Sequence, residues 1–257
     1  MGEWVDLYMF RKFIALILIV GLIFWSCEDT KEKEPTIIFS KTFGGSGQDY
    51  GHSVQQTSDG GYIISGSTRS FGEGNQDVWL IKTNSQGQEE WNQTVGGGSN
   101  TETGYYVQQA NDGGYIITGN TNSNGDNITE VWLIKIDSQG QEEWNHTFGG
   151  IGGGNDIGRS VQQTIDGGYI ITGITWEVYG NGGDLWLIKT DSQGNEEWSR
   201  IFGGEYPDRG YSGQPTTDGG YILTGKSYFY YQSDGRWNNG DVRLIKTDSQ
   251  GNEEWDK

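Results

Sequence analysis

The chain has 257 residues with a formal charge of −18; 44 are Gly, only 3 are Pro, and 13% are aromatic. That balance is too rich in Gly and aromatics for a helical bundle and too aromatic for a disordered chain. One Cys excludes a disulfide framework, two His leave no basis for a His-rich metal centre, and 35 acidic against 17 basic residues repel phosphate backbones, so neither a metal nor nucleic acid is expected as a partner.

The first element in chain order is the apolar run Phe13 to Trp25 (FIALILIVGLIFW), directly after Arg11 and Lys12. It is shorter than the about 20 residues of a bilayer-spanning helix and reads as the core of a signal peptide. Met9-Phe10-Arg11-Lys12 makes a more ordinary leader start than MGEWVD, so residues 1–8 are left out of the fold reading. Phe24-Trp25-Ser26-Cys27 resembles a bacterial lipobox, in which a small residue precedes a Cys that is lipidated and becomes the mature N-terminus. Ser26 fits that pattern, whereas Phe24 and Trp25 are bulkier than usual. The expectation is a signal peptide over 1–26, a lipidated Cys27 and a polar tether to residue 35 (CEDTKEKEP). Acyl chains would then anchor the protein to a membrane of the cell envelope, the outer membrane or cell surface in a Gram-negative host. A plain secretory signal with an incidental Cys is the alternative.

Residues 36–257 consist of one unit repeated four times, at about 43–94, 95–147, 148–201 and 202–257. DGGYI recurs with its Tyr at 62, 115, 169 and 221, and the Lys of [DE]-[VL]-[WR]-L-I-K falls at 82, 135, 189 and 246. [ND]-S-Q-G ends at Gly87, Gly140, Gly194 and Gly251, and E-E-W at Trp91, Trp144, Trp198 and Trp255. Each unit predicts four short strands: A around Ser53 to Thr57, B from Tyr62 to Gly66, C from Val78 to Thr83 and D from Glu89 to Val95. The A–B link (SDGG) and the C–D link (NSQG or DSQG) are tight-turn sequences.

Strand C decides the packing, because VWLIK is apolar on both alternating faces and so predicts a sheet covered on both sides. The fold class expected is all-β, a β-propeller-like array of four four-stranded antiparallel blades. An open arc, a solenoid or a fragment of a larger propeller is the alternative. In the fourth unit Gly213 and Pro215 weaken strand A, and the chain stops at EEWDK without its own FGG. Thr36 to Phe43 supplies a spare D-like strand that could complete the last blade.

These repeats resemble the secreted β-propeller-like repeat proteins of bacteria and archaea, over residues 36–257. The resemblance implies blades in secreted or surface proteins, mostly without an assigned molecular role. A more distant likeness to quinoprotein-type blades, carried by Asp137, Gly140 and Trp144, concerns packing only, and no cofactor is expected.

Recurrent residues read first as scaffold. Asp59, Asp112, Asp166 and Asp218 are expected to cap the A–B turns, and Glu89-Glu90 and their equivalents to be solvated parts of outer strands. His52 and His146 occupy variable repeat positions without an evident partner. Glu177, Glu205 and Asp234 are off-pattern acids, yet they form no evident catalytic pair, so no catalytic residue is assigned. Symmetry breaks mainly in the B–C loops of the third and fourth units, which carry Trp176, Tyr179, Tyr228, Phe229, Tyr230, Tyr231 and Trp237. Aromatics among Asn, Gln and Asp suit sugar rings or a protein anchor. The functional expectation is a lipid-anchored, non-enzymatic binding module for a glycan or surface protein; the alternatives are a carbohydrate-active hydrolase and a purely structural surface module.

Overall fold

The computed structural model describes residues 40–97, 100–123, 128–149, 154–176, 182–204, 206–228 and 240–257. Two units divide the chain, Met1–Ser40 and Lys41–Lys257. The leader, Cys27, the tether and Thr36 to Phe39 lie outside the described residues; Ser40 to Phe43 belong to no strand, so this part of the expected spare strand is corrected.

The strands of the described residues lie in the second unit. The first blade contains β1 (Asp49–Gln56), β2 (Tyr62–Thr68), β3 (Asp77–Thr83) and β4 (Glu89–Val95). The second contains β5 (Thr103–Gln109), β6 (Tyr115–Thr121), β7 (Glu130–Ile136) and β8 (Glu142–Phe148). The third is made by β9 (Ile157–Gln163), β10 (Tyr169–Trp176), β11 (Gly183–Thr190) and β12 (Glu196–Phe202), and the fourth by β13 (Asp208–Pro215), β14 (Tyr221–Ser227), β15 (Asp241–Thr247) and β16 (Glu253–Asp256). Each blade is a separate antiparallel sheet with its strands in sequence order, the propeller-type meander expected from the repeats. Strand A starts a few residues earlier than expected because a bulge, at Gly51/Ser53 in the first blade, carries its pairing on. Pro215 ends β13 on a blade edge, where a missing N–H is tolerated.

The turns follow from their residues. Asp59 Oδ1 accepts hydrogen bonds from Gly61 N at 2.9 Å and Thr57 Oγ1 at 2.5 Å, and Gly60 takes a φ of +84° that side chains rarely adopt. The second Gly of the pair is required by space, since a Cβ on Gly61 would stand 2.1 Å from the Thr83 carbonyl oxygen.

That crowding reflects an ion cluster. Lys82, buried near the end of strand C, donates to Asp59 Oδ2 at 2.8 Å, Glu90 Oε2 at 2.7 Å and the Thr83 carbonyl at 3.0 Å. Lys135, Lys189 and Lys246 pair in the same way with Asp112 and Glu143, Asp166 and Glu197, and Asp218 and Glu254. The expectation that both Glu of each pair are merely solvated is therefore corrected. A bulge opposite Lys82/Thr83 breaks the alternation of strand D at Glu90, so Glu89 accepts from Asn92 on one side while Glu90 turns to the buried ammonium.

Blades stack through strand C. Val78 and Leu80 meet Val107 and Ile117 of the next blade, and Val131 and Leu133 meet Val161 and Ile171. Leu185 and Leu187 meet Leu223 and Ile245. Trp91, Trp144 and Trp198 close each junction against Tyr115, Tyr169 and Tyr221, with ring centroids 6.0, 5.9 and 5.8 Å apart. Among the described residues no fourth cluster joins the last blade to the first, and in the fourth strand C the two-sided cover expected from the sequence is missing, with Val242 80% exposed.

The clusters set a pH window. Hydrogen bonds from Lys82 and Thr57 hold the Asp59 carboxyl well below the usual carboxylate range; for Asp112 burial pushes upward, and the bonds from Lys135 and Gly114 outweigh it. Burial would lower the Lys135 ammonium, but Glu143 and Asp112 raise it. Lowered acids stabilise the fold above their unfolded value and lose that contribution as pH falls through the folded one; raised lysines stabilise below their unfolded value and lose it as pH rises through the folded one. The thermal midpoint is therefore expected to be flat from about pH 5 to 10 and to fall on both sides. Lys135→Met should lower it at neutral pH and flatten both slopes, as circular dichroism melts across pH would show.

Candidate active site

The fourth blade departs from its siblings inside strand C. Trp79 and Trp132 donate from their indole nitrogens to Asn92 and Asn145 of strand D, at 3.3 and 3.0 Å. At the Trp position the fourth blade has Arg243, and at the Asn position it has Asp256. Arg243 reaches Asp256 Oδ2 from Nε at 3.0 Å and from Nη2 at 2.7 Å, and its Nη1 lies 3.1 Å from Asp208 Oδ2. The same Nη1 donates to the Phe202 carbonyl of the third blade at 3.3 Å. Burial works against the guanidinium charge, but the bonds to Asp256 and the negative field of Asp208 and Asp256 more than restore it.

These groups line a cavity of about 480 Å³ at the loop ends of the blade, with Tyr206, Tyr228 and Asp241 in its walls. Asp208 begins β13 and is buried, with Oδ1 lacking a hydrogen-bond partner among the described groups. Asp241 begins β15 and is exposed. Tyr228 is held by its backbone N donating to the Pro207 carbonyl at 3.1 Å and by Lys226, 4.7 Å from its ring centroid. A buried carboxylate, an accessible carboxylate and two phenol rings around one concavity are groups that acid–base chemistry on a sugar uses. A second depression, of about 650 Å³, lies at the tight-turn ends and is lined by Asp166, Lys189 and Glu197, which recur in every blade as scaffold.

Of the aromatics expected from the loops, the structure places Tyr228 in the cavity wall. Trp176 ends β10, half-buried, and its backbone N donates to Asp156 at 3.1 Å. Tyr179, Phe229, Tyr230, Tyr231 and Trp237 lie outside the described residues, as do the off-pattern acids Glu177, Glu205 and Asp234. Both histidines have neighbours, contrary to expectation. The His52 ring centroid is 5.2 Å from that of Tyr105, and His146 Nε2 is 3.0 Å from the Gln193 carbonyl. Sequence reasoning missed Arg243 and Asp256, although the paired departure from Trp and Asn was visible on aligning the repeats.

A second pair of acids meets at the first junction. A Cβ on Gly96 would stand 2.4 Å from Asp77 Oδ1 and 2.9 Å from Glu102 Oε2, so carboxylates of adjacent blades flank one point. Glu102 is fully buried; Oε1 accepts from Thr121 and Ser123, and Oε2 has no partner among the described groups. Burial first, and then the Asp77 charge, push its carboxyl upward against those hydrogen bonds. Among the described residues no group of three or more His, Cys, Asp or Glu is placed to hold a metal.

No family model and no curated protein matches the chain. Among solved structures it is similar to a thermostable family-43 glycoside hydrolase, at 12% identity and a TM-score of 0.48 over 83% of this chain and 73% of that one. It is also similar to a protein assigned as an exo-beta-1,3-galactanase from Bifidobacterium bifidum s17, at 14% identity and a TM-score of 0.46 over 80% and 72%. The class defined by the strand order is an all-β array of propeller-type blades. Both similar structures are of proteins described as glycoside hydrolases, where the sequence led us to expect a non-enzymatic binding module. Of the acids in this cavity, Asp208 and Asp241 stand where every repeat has an acid, and Asp256 is the one that breaks the pattern.

Glu102 gives the prediction for this region. A carboxyl whose value is raised by folding destabilises the fold where it is ionised. Glu102→Gln, which keeps an acceptor and adds a donor facing Asp77, should raise the melting midpoint by a few degrees at pH 7. Calorimetry should show the gain shrinking as pH falls through the raised native value towards the ordinary glutamate range, because the native carboxyl takes up its proton there.

Proposed function

We propose that this chain is an exported, lipid-anchored carbohydrate-active hydrolase working from the fourth-blade cavity. The observation that supports it is the Arg243 cluster, in which Arg243 and Asp256 take the place of a Trp–Asn packing pair beside Asp208 and Asp241 around a concavity. Asp241, open to solvent, is assigned to protonate the departing glycosidic oxygen. Asp208, with one oxygen uncommitted, takes a proton from the water whose oxygen attacks the anomeric carbon. Arg243 positions Asp208, Asp256 fixes Arg243, and Tyr206 and Tyr228 supply apolar faces for a sugar ring. By residue type, Trp176, Tyr179, Phe229, Tyr230, Tyr231 and Trp237 suit stacking on the rings of a polymeric glycan. The leader and Cys27 support an address at the cell envelope, in keeping with the resemblance to secreted repeat proteins.

Reducing-sugar release from a polysaccharide panel that includes β-1,3-galactan tests the activity. Asp208→Asn and Asp241→Asn should each cut release about 100-fold or more; the exposed Asp241 should leave the melting midpoint in place, whereas Asp208, paired with Arg243, should lower it. Arg243→Trp combined with Asp256→Asn restores the repeat's own packing pair, and should abolish release in a protein at least as stable. Wild-type protein that releases nothing from any member of the panel would refute the hydrolase. The anchor has its own check: Cys27→Ala should move the protein from the detergent to the aqueous phase on Triton X-114 partitioning.

A further inference from the structure

We propose that a second copy of this chain docks head to tail on the fourth blade, through the contact that the molecule already makes at each internal junction. On one side of that junction, strand C offers two apolar residues: Val78 and Leu80, Val131 and Leu133, or Leu185 and Leu187, each at most 1% exposed. On the other side, strand A of the next blade approaches so closely that a Cβ on Gly104, Gly158 or Gly210 would stand 2.9, 3.0 or 2.8 Å from the first residue of the pair. The first two junctions add a polar rung. Gln109 N donates to Gln55 Oε1 at 2.6 Å, and Gln163 N to Gln108 Oε1 at 2.7 Å.

Both halves of this junction are also displayed unused. On the fourth blade Val242 and Leu244 occupy the strand C positions and are 80% and 37% exposed, and Trp255, whose equivalents all stack on a Tyr of the following blade, is 40% exposed. On the first blade Gly51 and Val54 occupy the strand A positions. Val54 is 65% exposed, whereas its equivalents Val107 and Val161 are at most 1% exposed. A Cβ on Gly51 would meet only Ile64 of its own blade. Gln214 stands where Gln55 and Gln108 accept, aligned for the amide of Gln56 in the incoming copy.

The occupant that fits a strand C face is a strand A, and an uncovered one of matching register is at the other end of the same chain. Because the two surfaces differ, the contact is heterologous, and two copies related by a two-fold axis make it twice. Polar partners are a poor fit to the Val242, Leu244 and Trp255 face, and the chain's own first blade leaves that face exposed.

The test uses the full chain carrying Cys27→Ser in a mild nonionic detergent, so that introduced thiols are the only ones. Native mass spectrometry should give a dimer that Val54→Asp, a change at an exposed position, converts to monomer with an unaltered β spectrum. A mixture of V54C and L244C chains should form a disulfide-linked dimer on mild oxidation, and neither variant alone should do so. Monomer only at tens of micromolar would overturn the proposal. So would V54C chains linking to each other, which means like-to-like pairing, or a V54C/L244C double variant closing its disulfide at monomer mass, which means that the chain covers its own face.

Discussion

One buried ammonium per blade organises this protein. Lys82 and its three equivalents each hold the A–B turn through an Asp and strand D through a Glu, and so join the two ends of a four-stranded sheet through its third strand. A buried charge is costly unless it is paired and bonded, and here each ammonium is satisfied by two carboxylates and a carbonyl. Much of the repeat's vocabulary follows from that site. The second Gly of DGG leaves room for the ammonium, and the turn Asp serves the turn amide and the Lys with different oxygens. The Tyr of the next blade packs within the electrostatic reach of the cluster, where burial raises its phenol.

The fold was legible because each strand announces itself four times. The tight turns named by their Asp and Gly are where the structure bends, and the two-sided apolar strand C is sandwiched in the first three blades. The Lys clusters were hidden by distance, since Asp59 and Glu90 stand 23 and 8 residues from Lys82 and are drawn together only when four strands align. Reading Glu89 and Glu90 as one solvated pair missed the bulge in strand D at Glu90. The Arg243 site was obscured for another reason. Treating repeat positions as scaffold directs attention to loops, whereas the asymmetry lies in a strand, at a position that packs an indole in the other blades.

The molecule thus separates stability from specialisation. Three junctions and four ammonium clusters are near copies, while one blade exchanges a neutral indole–amide pair for a guanidinium–carboxylate pair that lines a polar cavity beside Tyr206 and Tyr228. The exchange is conservative in form, because a hydrogen bond between strands C and D persists with a different donor and acceptor. What changes is the local dielectric and charge, which packing in an identical blade could not supply.

The strictly consecutive strand order has a kinetic meaning. Every ladder joins neighbours in the chain, two of the three in each blade across tight turns, so a blade closes few long loops as it forms. A chain emerging from the ribosome can complete its first sheet while the last is unmade, and each finished strand C face is then a template on which the next strand A settles. Near-identical units also risk trading strands with one another during that process. The unequal B–C segments and the bulge placed early in each strand A oppose such exchange by making a shifted pairing costly in register.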